Sequence, residues 1–284
     1  MPIIKSYLLP HSPLLIPEIG KANHSLLTKT STAYQNIQKE LVEKNIEIIV
    51  IISPHNNPQS DHFLINCAPE MDISFQYFGY IPPKTIVKGA IHLADQIKNG
   101  FKDTSLLQSL SETSLDYGSG IPLYLLTKQN KDLRVINITP AENLDLAAHF
   151  DFAENLAKIL DDSPKRIAVI ASGDLSHRLM RKSPGGYSPK GTKFDNKIIE
   201  FLSHPQTAIQ NILGLDQRLI RDASECGLKP ITILLGILKN KNWTPNILAY
   251  QTDFGVGYLS LECILEENNT EEVNTDPNDK SEVI

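Results

Sequence analysis

Three short apolar runs, each ending in a histidine, constrain this chain more than any other feature. Arg166-Ile167-Ala168-Val169-Ile170-Ala171 gives way to Ser172-Gly173-Asp174-Leu175-Ser176-His177. Tyr7-Leu8-Leu9 runs into Pro10-His11-Ser12-Pro13, and Ile46-Glu47-Ile48-Ile49-Val50-Ile51-Ile52 runs into Ser53-Pro54-His55-Asn56-Asn57. Runs this short, two of them rich in β-branched residues and all abruptly bounded by small and polar ones, read as buried strands. In open α/β sheets ligands sit at the carboxyl ends of the strands. His11, His55 and His177 are thereby expected at one topological edge, with the rest of the chain as their scaffold.

Residues 26–44 carry Leu27, Tyr34, Ile37 and Leu41 at helical spacing and join the first run to the second as a β-loop-α-β unit. Further strands are expected at 63–68, 134–138, 246–251 and 258–264, and helices at 89–101, 145–160, 192–202, 207–213, 216–223 and 231–239. Residues 77–83 and the Gly- and Pro-rich 183–191 read as loops, the second placed to overhang the site. Asp116-Tyr117-Gly118-Ser119-Gly120 reads as a turn-rich opening to the apolar 121–126. This alternation predicts a three-layer α/β/α fold around a mostly parallel or mixed central sheet, with the active site at the carboxyl ends of its strands.

The net charge of −6 resides in residues 266–284, where seven acidic residues face one lysine. The body, 1–265, is thus near neutral and reads as one domain; the tail is too polar to offset its own ordering entropy and is expected to be disordered. Without a basic stripe or a basic amphipathic segment, neither nucleic acid nor a membrane surface is expected as partner. Cys67, Cys226 and Cys263 show no metal-binding spacing and fit reduced thiols. With prolines breaking the apolar amino terminus, the expected location is cytoplasmic.

A single histidine near a strand end is more often hydrogen-bonded structure than a ligand; three from separate strands at one edge are harder to dismiss. His24, His92, His149 and His204 fall on helices or their flanks and read as surface residues, and His62 reads either way. Glu225, in Asp222-Ala223-Ser224-Glu225-Cys226-Gly227-Leu228-Lys229-Pro230, reads by position alone as a solvated helix end before a glycine. Its company changes its weight, because two neutral imidazoles and one carboxylate are the ligand set of a non-haem Fe(II) facial triad. A hydrolase triad drawn from Ser172, Asp174, Ser176 and His177 is too crowded in sequence and lacks a nucleophile elbow. The Gly186 region misses the phosphate-loop order and is interrupted by Pro189.

Pro10-His11-Ser12-Pro13-Leu14-Leu15, Ser53-Pro54-His55-Asn56, Ser172-Gly173-Asp174-Leu175-Ser176-His177-Arg178, Gly186-Tyr187-Ser188-Pro189-Lys190-Gly191 and Glu225-Cys226-Gly227-Leu228 occur in the order found in class III extradiol ring-cleavage dioxygenases. The chain resembles the catalytic (beta, LigB-like) subunits of that family over residues 3–264, on the branch bordering the Memo-like proteins. The resemblance implies an Fe(2+) cofactor held by His11, His55 and Glu225, with His177 unligated beside it as acid/base. It further implies an oxidoreductase inserting both atoms of O2 next to a catechol or aminophenol, acting as a homo-oligomer or with a small partner subunit. Relatives commonly have Asp-His-Gly where Asp116-Tyr117-Gly118 stands here, so Tyr117 is expected to line the pocket as a hydrogen-bond donor. Memo-like proteins place a cysteine ligand in the corresponding Cys-Gly motif. That alternative puts Cys226 in the place of Glu225 and implies a metal-binding redox or partner protein that cleaves no ring.

Overall fold

A computed structural model describes residues 2–55, 60–81, 83, 85–130 and 132–266. In chain order its elements are β1 (Ile3–Leu9), α1 (Pro17–Gly20), α2 (Thr28–Glu43), β2 (Ile48–Ile52), β3 (Phe63–Asn66), β4 (Glu70–Asp72), β5 (Ile86–Gly89), α3 (Ile91–Gly100), β6 (Leu107–Leu110) and α4 (Tyr117–Leu126). There follow β7 (Arg134–Thr139), α5 (Leu146–Asp161), β8 (Ile167–Ser172), α6 (Pro189–Leu202), α7 (Pro205–Leu213), α8 (Gln217–Ala223), α9 (Leu228–Ile237), β9 (Trp243–Gln251) and β10 (Tyr258–Leu265).

The three histidine-bearing runs become the centre of the sheet because they are apolar on both faces. In β2, Ile48, Val50 and Ile52 enter one core with Leu93 and Ile97 of α3 and Phe152 and Leu156 of α5. Ile49 and Ile51 enter the other, with Tyr34, Ile37 and Leu41 of α2. Period-2 alternation between two cores is what a strand covered by helices on both sides requires. The strand order is β4-β5-β7-β2-β8-β1-β10-β9, with β3 pairing β6 and β7. Pairing is parallel for β1/β8, β2/β8, β2/β7, β5/β7 and β3/β6 and antiparallel for β1/β10, β9/β10, β3/β7 and β4/β5. The fold is the expected three-layer α/β/α arrangement on a mixed sheet.

Three local readings change. The short strands β4, β5 and β6 were not expected, because polar residues such as Glu70, Lys88, Gln108 and Ser109 leave no apolar run to recognise. The Asp116–Gly120 stretch is not a turn but the start of α4, with Asp116 at the N-cap accepting the Ser119 N–H at 3.0 Å. Its two glycines and Pro122 hid the helix from propensity. His149, read as a surface residue, is fully buried; its Nδ1 faces the Asp145 carbonyl at 2.6 Å and its ring stands edge-on to Phe63. The acidic tail beyond Glu266 lies outside the described residues. Among the described residues no helix is long and apolar enough to cross a membrane.

Candidate metal centre

Strand register brings the three histidines to one level. Leu9 of β1 and Ile52 of β2 stand opposite Ser172 and Ala171 of the shared neighbour β8, so all three strands end together. Past β1, the Pro10 carbonyl accepts the Tyr34 hydroxyl at 2.6 Å and the His11 N–H donates to Asp174 Oδ1 at 3.0 Å. Past β8, Gly173 lies against Gly227, where a Cβ on Gly173 would fall 2.3 Å from the Gly227 Cα. That close approach seats the loop before α9 on the strand end, and the Asp174 carbonyl accepts the Cys226 and Gly227 N–H groups at 3.3 and 3.0 Å.

The side chains converge. His11 Nε2 lies 3.1 Å from His55 Nε2 and 3.5 Å from Cys226 Sγ, and the ligand atoms of these three residues lie within 4.8 Å of one another. Asp174, His177 and Cys226 form a second group on the same criterion. Asp174 Oδ2 bridges the two, 4.0 Å from His11 Nε2 and 3.8 Å from His177 Nε2. His177 Nδ1 is 2.8 Å from the Ser224 carbonyl, which can only accept, so a proton sits on Nδ1 and Nε2 is the nitrogen turned toward the cluster. Ser224 holds that carbonyl in place from the left-handed region, φ 53°, an uncommon conformation for a serine.

Burial keeps the two inner imidazoles neutral. It lowers His11 to about 4, against the opposing pull of the Asp116 carboxylate and with His177 adding to the drop. It lowers His55 to about 4 as well, helped by His11 and opposed by Asp116 and Asp174. Asp174 is pushed up to about 6 by burial, opposed by His177 and by the His11 N–H. Burial also pushes the Cys226 thiol up, with the Asp174 charge adding and the Asp174 N–H, 3.3 Å from Sγ, opposing. Two neutral ring nitrogens facing at 3.1 Å need a proton or a cation between them. A nitrogen, nitrogen and sulfur donor set with a carboxylate alongside suits a first-row transition metal and not Mg²⁺ or Ca²⁺.

Tyr117 stacks on His55, ring centroids 4.4 Å apart at 27°, and stands edge-on to His11 and Phe78. Burial pushes its phenol up, so it is a hydrogen-bond donor at neutral pH. Gly118, next in the chain, lets His55 pack: a Cβ there would lie 2.7 Å from His55 Cδ2. Glu225 goes elsewhere. Its Oε2 accepts the Leu228 N–H at 2.6 Å in the first turn of α9, burial raises it to about 7, and it joins no ligand group among the described residues.

Sequence reasoning gave Asp174 and Asp116 no place among the candidate ligands, although both stood in quoted motifs. Asp116 accepts from Ser53 Oγ, Ser119 N and Ser119 Oγ at 2.6, 3.0 and 2.7 Å, tying the end of β2 to α4. The readable signal for Asp174 was its place three residues before His177.

Residues 5–260 match the family described as the catalytic LigB subunit of aromatic ring-opening dioxygenase. The chain belongs to the LigB family. It is 30% identical over 276 aligned positions to Protein CA_C1420 of Clostridium acetobutylicum, an alignment covering 93% of this chain and 58% of that protein's length. It is 22% identical over 204 positions to the 3,4-dihydroxyphenylacetate 2,3-dioxygenase of Escherichia coli, covering 66% of this chain and 71% of that enzyme. The crystal structure of uncharacterized protein JW3007 from Escherichia coli K12 superposes with a TM-score of 0.67 at 18% identity, covering 92% of this chain and 99% of that one, and shows the same fold. Family membership makes the chain kin to aromatic ring-opening dioxygenases and its strand-end cluster a candidate metal site.

Proposed function

We propose that this LigB-family chain is a ferrous-ion-dependent dioxygenase acting with O2 on a catechol or aminophenol. The observation that carries the reading is the meeting of His11 Nε2, His55 Nε2 and a third donor at the strand ends, with His177 Nε2 beside them. A bound ferrous ion would supply a common anchor for diol and dioxygen and Lewis acidity at the ring oxygens. The protein does the rest. His11 and His55 are neutral and free to ligate, His177 Nε2 takes the substrate hydroxyl proton, and Asp174 Oδ2, 3.8 Å away, steadies the imidazolium that results. Tyr117 offers a phenolic O–H and a flat face along one wall.

Two neighbours compete for the third ligand position. Glu225, as in the facial triad, would have to give up the Leu228 amide. Cys226 already points at His11, which supports it as the third donor. A thiolate there favours a second reading, a Memo-like metal-binding redox or partner protein on the same fold, since soft sulfur suits copper as well as iron.

Anaerobic Fe(II) reconstitution followed by a small catechol and aminophenol panel separates the two. Yellow ring-opened product with stoichiometric oxygen uptake is the expected result. Tight metal binding without either signal, across the panel, would replace the first reading by the second. His177→Asn should keep its iron and lose turnover by about two to four orders of magnitude.

A further inference from the structure

Pro122 lies inside α4 and bears on how a histidine on another element is protonated. A helical proline has no N–H for the carbonyl four residues back, and its ring crowds that carbonyl. Here that carbonyl is Gly118. It accepts instead from the Ser172 hydroxyl of β8, at 2.5 Å. A hydroxyl has one hydrogen and a carbonyl can only accept, so the Ser172 hydrogen is committed to Gly118. Ser172 Oγ also lies 2.9 Å from His11 Nδ1, and with its hydrogen spent it can only accept there. His11 must therefore carry its proton on Nδ1, leaving Nε2 bare toward His55 and Cys226. Ser172 and His11 are both buried, 0% and 1% exposed, so water does not relieve the constraint.

We infer that Pro122 is a positioning residue for metal binding: by denying Gly118 its helical donor it orients the Ser172 hydroxyl, which holds His11 in the tautomer whose Nε2 can take a metal ion. The inference rests on the reading that His11 Nε2 is a ligand. In metal-ligating histidines the partner of the far nitrogen sets both tautomer and ring orientation, and its loss lowers metal affinity by about 10–100-fold. What is particular to this chain is that the partner's own hydrogen is directed by a missing N–H on another element.

The test compares wild type, Pro122→Ala, Ser172→Ala and the double variant. Pro122→Ala supplies an N–H that competes for Gly118 and frees the Ser172 hydrogen to turn toward Nδ1; alanine suits a helix, so α4 is retained. In metal-free protein labelled with 15N-histidine, His11 should move from the Nδ1–H toward the Nε2–H pattern in two-bond nitrogen–proton spectra. Anaerobic affinity for ferrous ion alone should fall by about 10–100-fold in Ser172→Ala and by roughly 3–10-fold in Pro122→Ala. The double variant should be no worse than Ser172→Ala, because both changes act through one hydroxyl. Unchanged His11 nitrogen shifts in Pro122→Ala, or losses that add in the double variant, would overturn the inference. If the tautomer shifts but wild type takes up no ferrous ion, the clamp stands and the metal reading falls; if wild type binds iron and the tautomer does not shift, the clamp alone falls.

Discussion

Two polar clusters lie along β1 and its neighbours, and they differ in how they are closed. Around Lys5, Nζ meets Glu262 at 2.6 Å and Glu40 at 3.1 Å, and the Tyr7 hydroxyl donates to Glu40 at 2.7 Å. Burial pulls the Lys5 ammonium down, and the two carboxylates more than offset it, so its pKa is raised. One ammonium there is shared by two carboxylates, so charges of both signs are met by protein groups. Around His11, a few residues further on, the inward-facing atoms are ring nitrogens, a sulfur and a carboxylate, and among the described residues no Lys or Arg ion pair reaches them. A closed cluster is architecture; a buried convergence of lone pairs is a place for a cation.

The largest loss is expected at the histidines. The double change His11→Ala, His55→Ala should weaken ferrous binding by more than about a thousandfold, roughly 4 kcal/mol, in anaerobic titration while the fold survives. Near-stoichiometric iron in that variant would make the convergence structural. The opposite result is expected at the closed cluster. Lys5→Met leaves Glu262 buried without its partner and should cost about 3 kcal/mol in denaturant unfolding, with metal affinity unchanged.

The third-ligand question sharpens the contrast. Cys226→Ala should lower metal affinity by about 100-fold, whereas Glu225→Gln should alter it little, because the amide oxygen can still accept the Leu228 N–H. The reverse pattern, with metal lost only from the glutamate variant, returns the site to a facial triad.

Asp195 stands between the two cases. Its carboxyl, buried in α6, accepts from Ser176 N and Tyr250 Oη, both at 2.8 Å, with no cation paired to it among the described residues, and burial raises it to about 7. In the unfolded chain it titrates near the ordinary 3.8. A raised folded pKa means the stabilising contribution is complete below the unfolded value and is lost as pH rises through about 7. Asn can still accept from Ser176 and donate to the tyrosine oxygen. Asp195→Asn should therefore flatten the pH dependence, gaining on wild type by roughly 2 kcal/mol between pH 5 and 8. Parallel melting curves for the two proteins across that range would show that Asp195 is not held protonated.

The apolar runs of β1, β2 and β8 were legible because hydrophobic period and abrupt polar ends are local signals, and a parallel sheet turns such runs into one shared edge. The same logic placed His11, His55 and His177 together before any coordinates. It failed where local signals conflict with packing. α4 is a helix despite two glycines and a proline because it is buried on nearly every side, and His149 is buried because α5 turns that face to Phe63.

By itself the sequence determined the layers, the edge and the histidines that reach it, all of which follow from side-chain period and from the points where apolar runs stop. Tertiary structure alone decided which of two adjacent residues turns toward the histidines and which His11 nitrogen is free. Glu225 and Cys226 are consecutive on irregular backbone with no period to orient them. Their directions are set by the Gly173–Gly227 contact and the Leu228 amide, from a strand far away in sequence and from the helix that follows. The His11 proton is settled through Ser172 and Gly118, on two other elements. Hydrogen bonds of that kind depend on distance in space, which a reading of spacing along the chain does not contain.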